Sequence, residues 1–283
     1  MVLEFIVEKE LKKPVNLLLT GILISCIAIV VSLSLFVRTP SLVLVAFMTL
    51  PAIYIFTKLF EKESTAELKA KTTLELIKKN KDVIEMYTIL FIGMSIGISL
   101  WYAFMPRETL SVLFSEQLYN LNQLGVSTGF YTSSSIFNVI VENNAKLVLL
   151  SAALSFIFGA GALYILSWNA SVVGSAVGTL IYGIRTAESN SAIGLLKGLG
   201  MGAAFYILHL VPEVIAYFNA AIAGAIISVA IMRYQPLTKH SNKLIFAGLF
   251  LIALSLILIV FAAMIEVGIS HQIQSILNPA RGF

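Results

Sequence analysis

The sequence predicts an all-α fold: a polytopic α-helical membrane protein of about seven transmembrane helices, one short and one kinked. Three observations carry this. The thirty-eight residues between Lys146 and Arg185 hold no Lys, Arg, Asp or Glu. The thirty-five from Gly198 to Met232 hold a single formal charge, Glu213. Charged residues are only 12% of the chain, against about 25% in soluble domains, which is too few to solvate a surface. A bilayer selects for the opposite: about 20 apolar residues per crossing, with a central carboxylate costing several kcal/mol.

The first span, 15–37, is longer than a signal-peptide core and lacks a small-residue cleavage site, so it is expected to stay as a signal anchor. Segment 41–60 is its hairpin partner. The charged connection 61–85 places Glu67/Lys71 and Glu75/Lys79 at the i,i+4 spacing that supports a helix, predicting a cytoplasmic helical extension into the third span, 86–105. Segment 106–144 is the largest external element. Its Leu110, Leu113, Phe114, Leu118, Leu121 and Leu124 recur near the helical period, predicting an amphipathic helix on the membrane surface, with 125–135 a loop. Then come a span over 145–168, a short helix over 170–184, one broken helix over 193–232, and a last span over 244–265.

Charge sets the direction. Lys9, Lys12 and Lys13 precede the first span, seven lysines lie between the second and third, and Arg233, Lys239 and Lys243 precede the last. Placing these on one side puts thirteen Lys/Arg inside and six outside, with a cytoplasmic N terminus and an external C terminus. An eight-span alternative would export the Arg233–Lys243 cluster. The chain divides into an N-terminal transmembrane hairpin with its charged loop, 1–85, and a membrane domain, 86–283.

The pI near 9.1 comes from lysines flanking spans and reads as topogenic charge, not as a nucleic-acid footprint. The lone Cys26 allows no intramolecular disulfide. Neither H-E-x-x-H, G-x-S-x-G, paired intramembrane aspartates nor a P-loop occurs, so no catalytic residue, metal or cofactor is predicted.

Small and polar residues within the spans are more informative. Gly194, Gly198 and Gly202 form an i,i+4,i+8 series, Gly174 and Gly178 a second, and Gly93 and Gly97 a third. This spacing lets helix backbones approach where lipid gives no hydrophobic drive, either within one chain or as a homodimer seam. His209 and Glu213 share a helix face, and Pro212 between them predicts the kink. With Asn169 and Asn219 they form the candidate intramembrane polar site, since ionisable groups at this depth default to function. The competing reading is a lock, in which His209 and Glu213 satisfy each other or a neighbouring Asn. Asn143, Asn144 and Asn169 bracket spans, where capping is the simplest role. Asn169-Ala-Ser171 matches the glycosylation triplet but falls at an expected cytoplasmic turn.

In this order the residues resemble the stage II sporulation protein M family in its archaeal form. Phe137-Asn-x4-Asn143-Asn144 opens a span, Trp168-Asn169-x3-Val173-Gly174 starts the short helix, His209-x2-Pro212-Glu213 marks the kinked one, and Ala262-Ala263-x2-Glu266 ends the last. The resemblance covers about 86–270. The chain departs from it at Ala170 and Leu210, where family members carry glycine. The resemblance implies a membrane scaffold that assembles envelope enzymes and has no catalysis of its own. The function expected is therefore a non-enzymatic organising subunit for envelope or membrane remodelling, with the bilayer and other membrane or envelope proteins as partners. A transporter or permease-like subunit using the His209/Glu213 site is the alternative, and an intramembrane or lipid-modifying enzyme the third.

Overall fold

The computed structural model describes residues 13–35, 39–60, 73–123, 133–187, 192–233 and 238–277. Among them it places α1 (Pro14–Leu35), α2 (Pro40–Phe60), α3 (Thr73–Phe104), α4 (Arg107–Leu113), α5 (Ser115–Gln123), α6 (Ser133–Phe158), α7 (Ala162–Ala187), α8 (Ala192–Arg233) and α9 (Lys239–Leu277), with no strand. By length and composition six segments can cross a membrane: α1 and stretches of α3, α6, α7, α8 and α9. α2 adds a shorter apolar stretch, Pro40–Ile55. The protein is a polytopic, all-α membrane protein.

Its bundle has an apolar exterior and an interior rich in small and polar groups. On α1, Val15, Leu19, Leu23, Ile27 and Val30 face outward, while Leu17, Gly21, Ile24, Ser25 and Ala28 are buried. Lipid removes the drive to hide leucine, so the inner faces are chosen for close fit and polar contact. A Cβ on Gly93 would strike the carbonyl of Leu18, and one on Gly97 the hydroxyl of Ser25. One on Gly174 would lie 2.7 Å from the Cβ of Ile98, and one on Gly178 2.5 Å from that of Tyr102. The glycine pairs are thus spent on packing α1 to α3 and α3 to α7. Across the second of these seams Ser95 Oγ donates to Ala170 O at 3.2 Å and Ser99 Oγ to Gly174 O at 3.0 Å.

These contacts fix relative direction. α1, α3 and α7 run parallel. So do α6 and α8, whose register pairs Asn144 with Glu213 and Ala152 with Gly224. α8 is antiparallel to α7, where Gly198 meets Ile181, and to α9, where Ser241 Oγ donates to Ala230 O at 3.2 Å.

Four expectations are corrected. The span expected over 145–168 divides: α6 ends at Phe158, and Gly159 adopts φ 62°, a left-handed conformation that glycine reaches without steric cost. Because 158–161 is itself apolar, charge spacing cannot sense this turn. The helix expected to be short, from Ala170, is consequently α7, 26 residues long with Trp168 and Asn169 well inside it. The helix expected to be broken is helical throughout its 42 residues, on both sides of Pro212. At 1.5 Å per residue it is roughly 60 Å long, about twice a bilayer's hydrocarbon thickness. The amphipathic segment, expected to turn its apolar face to lipid, instead packs that face against the bundle as α4 and α5, burying Leu110, Leu113, Phe114 and Leu121. The ring of Phe114 stands 5.3 Å from that of Tyr102.

Residues 73–85 are helical, as expected for the N-terminal extension of α3. The rest of the lysine-rich connection, 61–72, and most of the expected loop, 124–132, lie outside the described residues.

Candidate functional site

Asn144 is 7% exposed in α6, and Glu213 and Tyr217 are 5% and 0% exposed in α8. Glu213 and Tyr217 are four apart and so present side chains on one helical face, one turn above the other. Asn144 bridges them. Its Nδ2 donates to Glu213 Oε1 at 2.7 Å, and its Oδ1 accepts from the Tyr217 hydroxyl at 2.8 Å. An amide side chain can donate to a carboxylate with its nitrogen and accept from a phenol with its oxygen. Asn143 adds a longer donor contact to Asn144 Oδ1 at 3.5 Å.

Two further elements reach this cluster. Asn169 of α7, 8% exposed, sets its amide beside the Tyr217 hydroxyl. Glu266 of α9, half-buried, is near enough for its charge to act on Glu213. The site therefore gathers α6, α7, α8 and α9 around two carboxyl groups, two amides and a phenol. Among the described residues no group of three His, Cys, Asp or Glu is placed to hold a metal ion. The assembly can brace four helices through polar bonds, or hold a proton or small cation between its carboxyl groups.

The sequence-predicted residues fall as follows. Glu213 and Asn169 belong to the cluster, and so do Asn144 and Glu266, singled out through the family motif. Asn144 and Asn169 are not caps. Both lie inside helices, and the Asn144 amide is spent on bonds to α8 instead of the local backbone bond that makes Asn a cap. The triplet at Asn169 is likewise buried within α7. Asn219 is buried in α8 but makes no bond to the Asn144 chain among the described residues. Pro212 sits within α8, half-buried, next to Glu213. The His209 side chain and the surroundings of Gly202 lie outside what is described. Gly194 and Gly198 are buried, and Gly198 meets the Ile181 backbone, with 3.0 Å from its would-be Cβ to Ile181 Cα.

Sequence reasoning missed Tyr217, although its place four residues after Glu213 was a usable signal. It also missed a second polar joint. Ser41 Oγ of α2 donates to Gln117 Oε1 at 2.6 Å, Gln117 Nε2 donates to Ser171 Oγ at 2.9 Å, and Ser171 Oγ donates to Trp168 O at 2.7 Å. Gln117 is fully buried, so one side chain of α5 links α2 to α7.

A search of curated proteins and a search of solved structures each returned no match. The family model described as Stage II sporulation protein M matches residues 86–271, about two thirds of the chain. That stretch holds Asn144, Asn169, Glu213, Tyr217 and Glu266, and on this match the chain belongs to the stage II sporulation protein M family.

Proposed function

We propose that this protein is a non-enzymatic membrane scaffold, an organising subunit for envelope or membrane remodelling. The observation that carries the reading is the Tyr217–Asn144–Glu213 chain, in which the most costly polar group in the spans is used to hold α6 against α8. Membrane scaffolds need a rigid body with surfaces left for partners. The external 106–144 segment or the cytoplasmic lysine-rich connection, 61–85, is the contact surface we assign. In orientation the N terminus is cytoplasmic and the C terminus external. The parallel course of α3 with α7 and of α6 with α8 supports this, because it takes the chain across an odd number of times between α6 and α8. Affinity capture from native membranes, with crosslinking, tests the scaffold: recovery of envelope enzymes together with no solute flux in proteoliposomes is the expected result.

A transporter-like subunit is the second reading, and a specific observation favours it. Glu266 brings a second carboxyl group to Glu213, a pair of groups able to accept a proton or small cation. Flux that is lost in Glu213→Gln would replace the scaffold with this reading.

A further inference from the structure

At the end of the bundle where α3 and α7 finish, a cavity of about 350 Å³ is bordered by Tyr102, Arg107, Leu110, Ser111, Leu118 and Tyr182. Two guanidinium groups share one ring beside it. Arg107 Cζ lies 5.5 Å and Arg185 Cζ 5.9 Å from the centre of the Tyr182 ring, and Arg107 Nε donates to the Tyr182 hydroxyl at 3.3 Å. Arg185 also stacks over Phe104, 4.8 Å from its centre. Among the described residues neither arginine has a carboxylate partner, and the buried Nε of Arg185 has no hydrogen-bond acceptor. Two like charges held at one ring repel unless an anion bridges them, and a buried donor left unmade is costly.

The ligand must be anionic at one end and apolar at the other, because the cationic pair adjoins a cavity walled largely by leucine and tyrosine. A phosphate fits the cationic end, since it offers several oxygens to two planar guanidinium forks. The apolar spans Ile84–Phe104 and Ala162–Ala187 both end here, which is the level at which lipid headgroups sit. We infer that Arg107 and Arg185 form the headgroup site of an anionic phospholipid whose acyl chain enters the adjoining cavity.

The test uses the full chain in detergent micelles, following thermal unfolding while phosphatidylglycerol, phosphatidylcholine with the same chains, or inorganic phosphate is added. Phosphatidylglycerol should raise the melting temperature and phosphatidylcholine should not. Arg107→Gln and Arg185→Gln should each weaken the phosphatidylglycerol response by about tenfold in concentration, the scale of one charge-assisted hydrogen bond. Ser111→Trp, which fills the cavity and keeps both arginines, should weaken it as well. Arg185→Gln also loses its stack on Phe104, so if that variant fails to fold, the exposed Arg107→Gln carries the test. Equal responses to the two lipids, a full response in Arg107→Gln, an unchanged response in Ser111→Trp, or an equal shift from inorganic phosphate alone would each overturn the assignment.

Discussion

The Asn144 amide donates to the Glu213 carboxyl at 2.7 Å across sixty-nine residues of sequence, and the same Asn accepts from Tyr217. Asn144 is thus the hub, and the two α8 residues are its spokes. Asn144→Ala removes both bonds at once and leaves a buried carboxyl and a buried phenol without their partner. Polar bonds between membrane helices average about 0.6 kcal/mol, and an orphaned buried group costs about 1–3 kcal/mol. Asn144→Ala should therefore destabilise the fold by about 1–2 kcal/mol and Tyr217→Phe by about 0.5 kcal/mol. Unfolding by SDS in mixed micelles measures both. A Tyr217→Phe penalty equal to or above that of Asn144→Ala would remove Asn144 from the centre of the network.

Glu213→Gln separates brace from ion site. Gln keeps the shape and accepts from Asn144 Nδ2 through its carbonyl, but it cannot titrate. As a brace it should fold with a stability loss below about 1 kcal/mol and retain function in a complementation assay. A folded, inactive Glu213→Gln protein, with partial activity in Glu213→Asp, would favour ion handling.

Glycines on α8 divide by environment. Gly198 abuts the backbone of Ile181, whereas a Cβ on Gly200 would meet nothing within 4 Å. Gly198→Leu should separate α7 from α8 and cost about 2 kcal/mol or more through overpacking. Gly200→Ala should be neutral or stabilising by up to about 1 kcal/mol, from helix propensity alone. Melting temperature and oligomer size in detergent read the contrast. Similar effects at both positions would mean that Gly198 faces lipid.

Gln117→Leu tests what holds α4 and α5 in place. Leucine preserves apolar packing but removes the bonds to Ser41 and Ser171. We expect a loss of about 1–2 kcal/mol and faster proteolysis of the 106–132 region, because that joint ties α5 to α2 and α7. Unchanged proteolysis would show that the leucines alone hold α4 and α5 in place.

Orientation is open to single-cysteine labelling. In a Cys26→Ser background, where the serine oxygen can still accept from Trp101 Nε1, cysteines at Lys71 and Lys239 should be protected from an impermeant reagent in intact cells. A cysteine at Ser127 should label. Labelling at position 239 from outside would overturn this orientation.

By itself the sequence determined that the chain is a helical membrane protein, and it singled out glycines spaced for close approach and Glu213 as the acid to explain. Each follows from a local property: one charge, or one missing Cβ, has much the same cost wherever the chain enters hydrocarbon. The partners of that acid were decided only by tertiary structure. Glu213 was read against His209 on its own helix, but Asn144, which the sequence suggested as a cap, reaches it from α6 because the registers of α6 and α8 coincide there. The turn at Gly159 was hidden for a related reason, being built from residues as apolar as the spans it joins. The face of α4 and α5 that looks made for lipid is buried in protein, because leucine packs against either. Gln117 adds a polar joint to that packing, and its bonding partners, Ser41 and Ser171, lie 76 and 54 residues away.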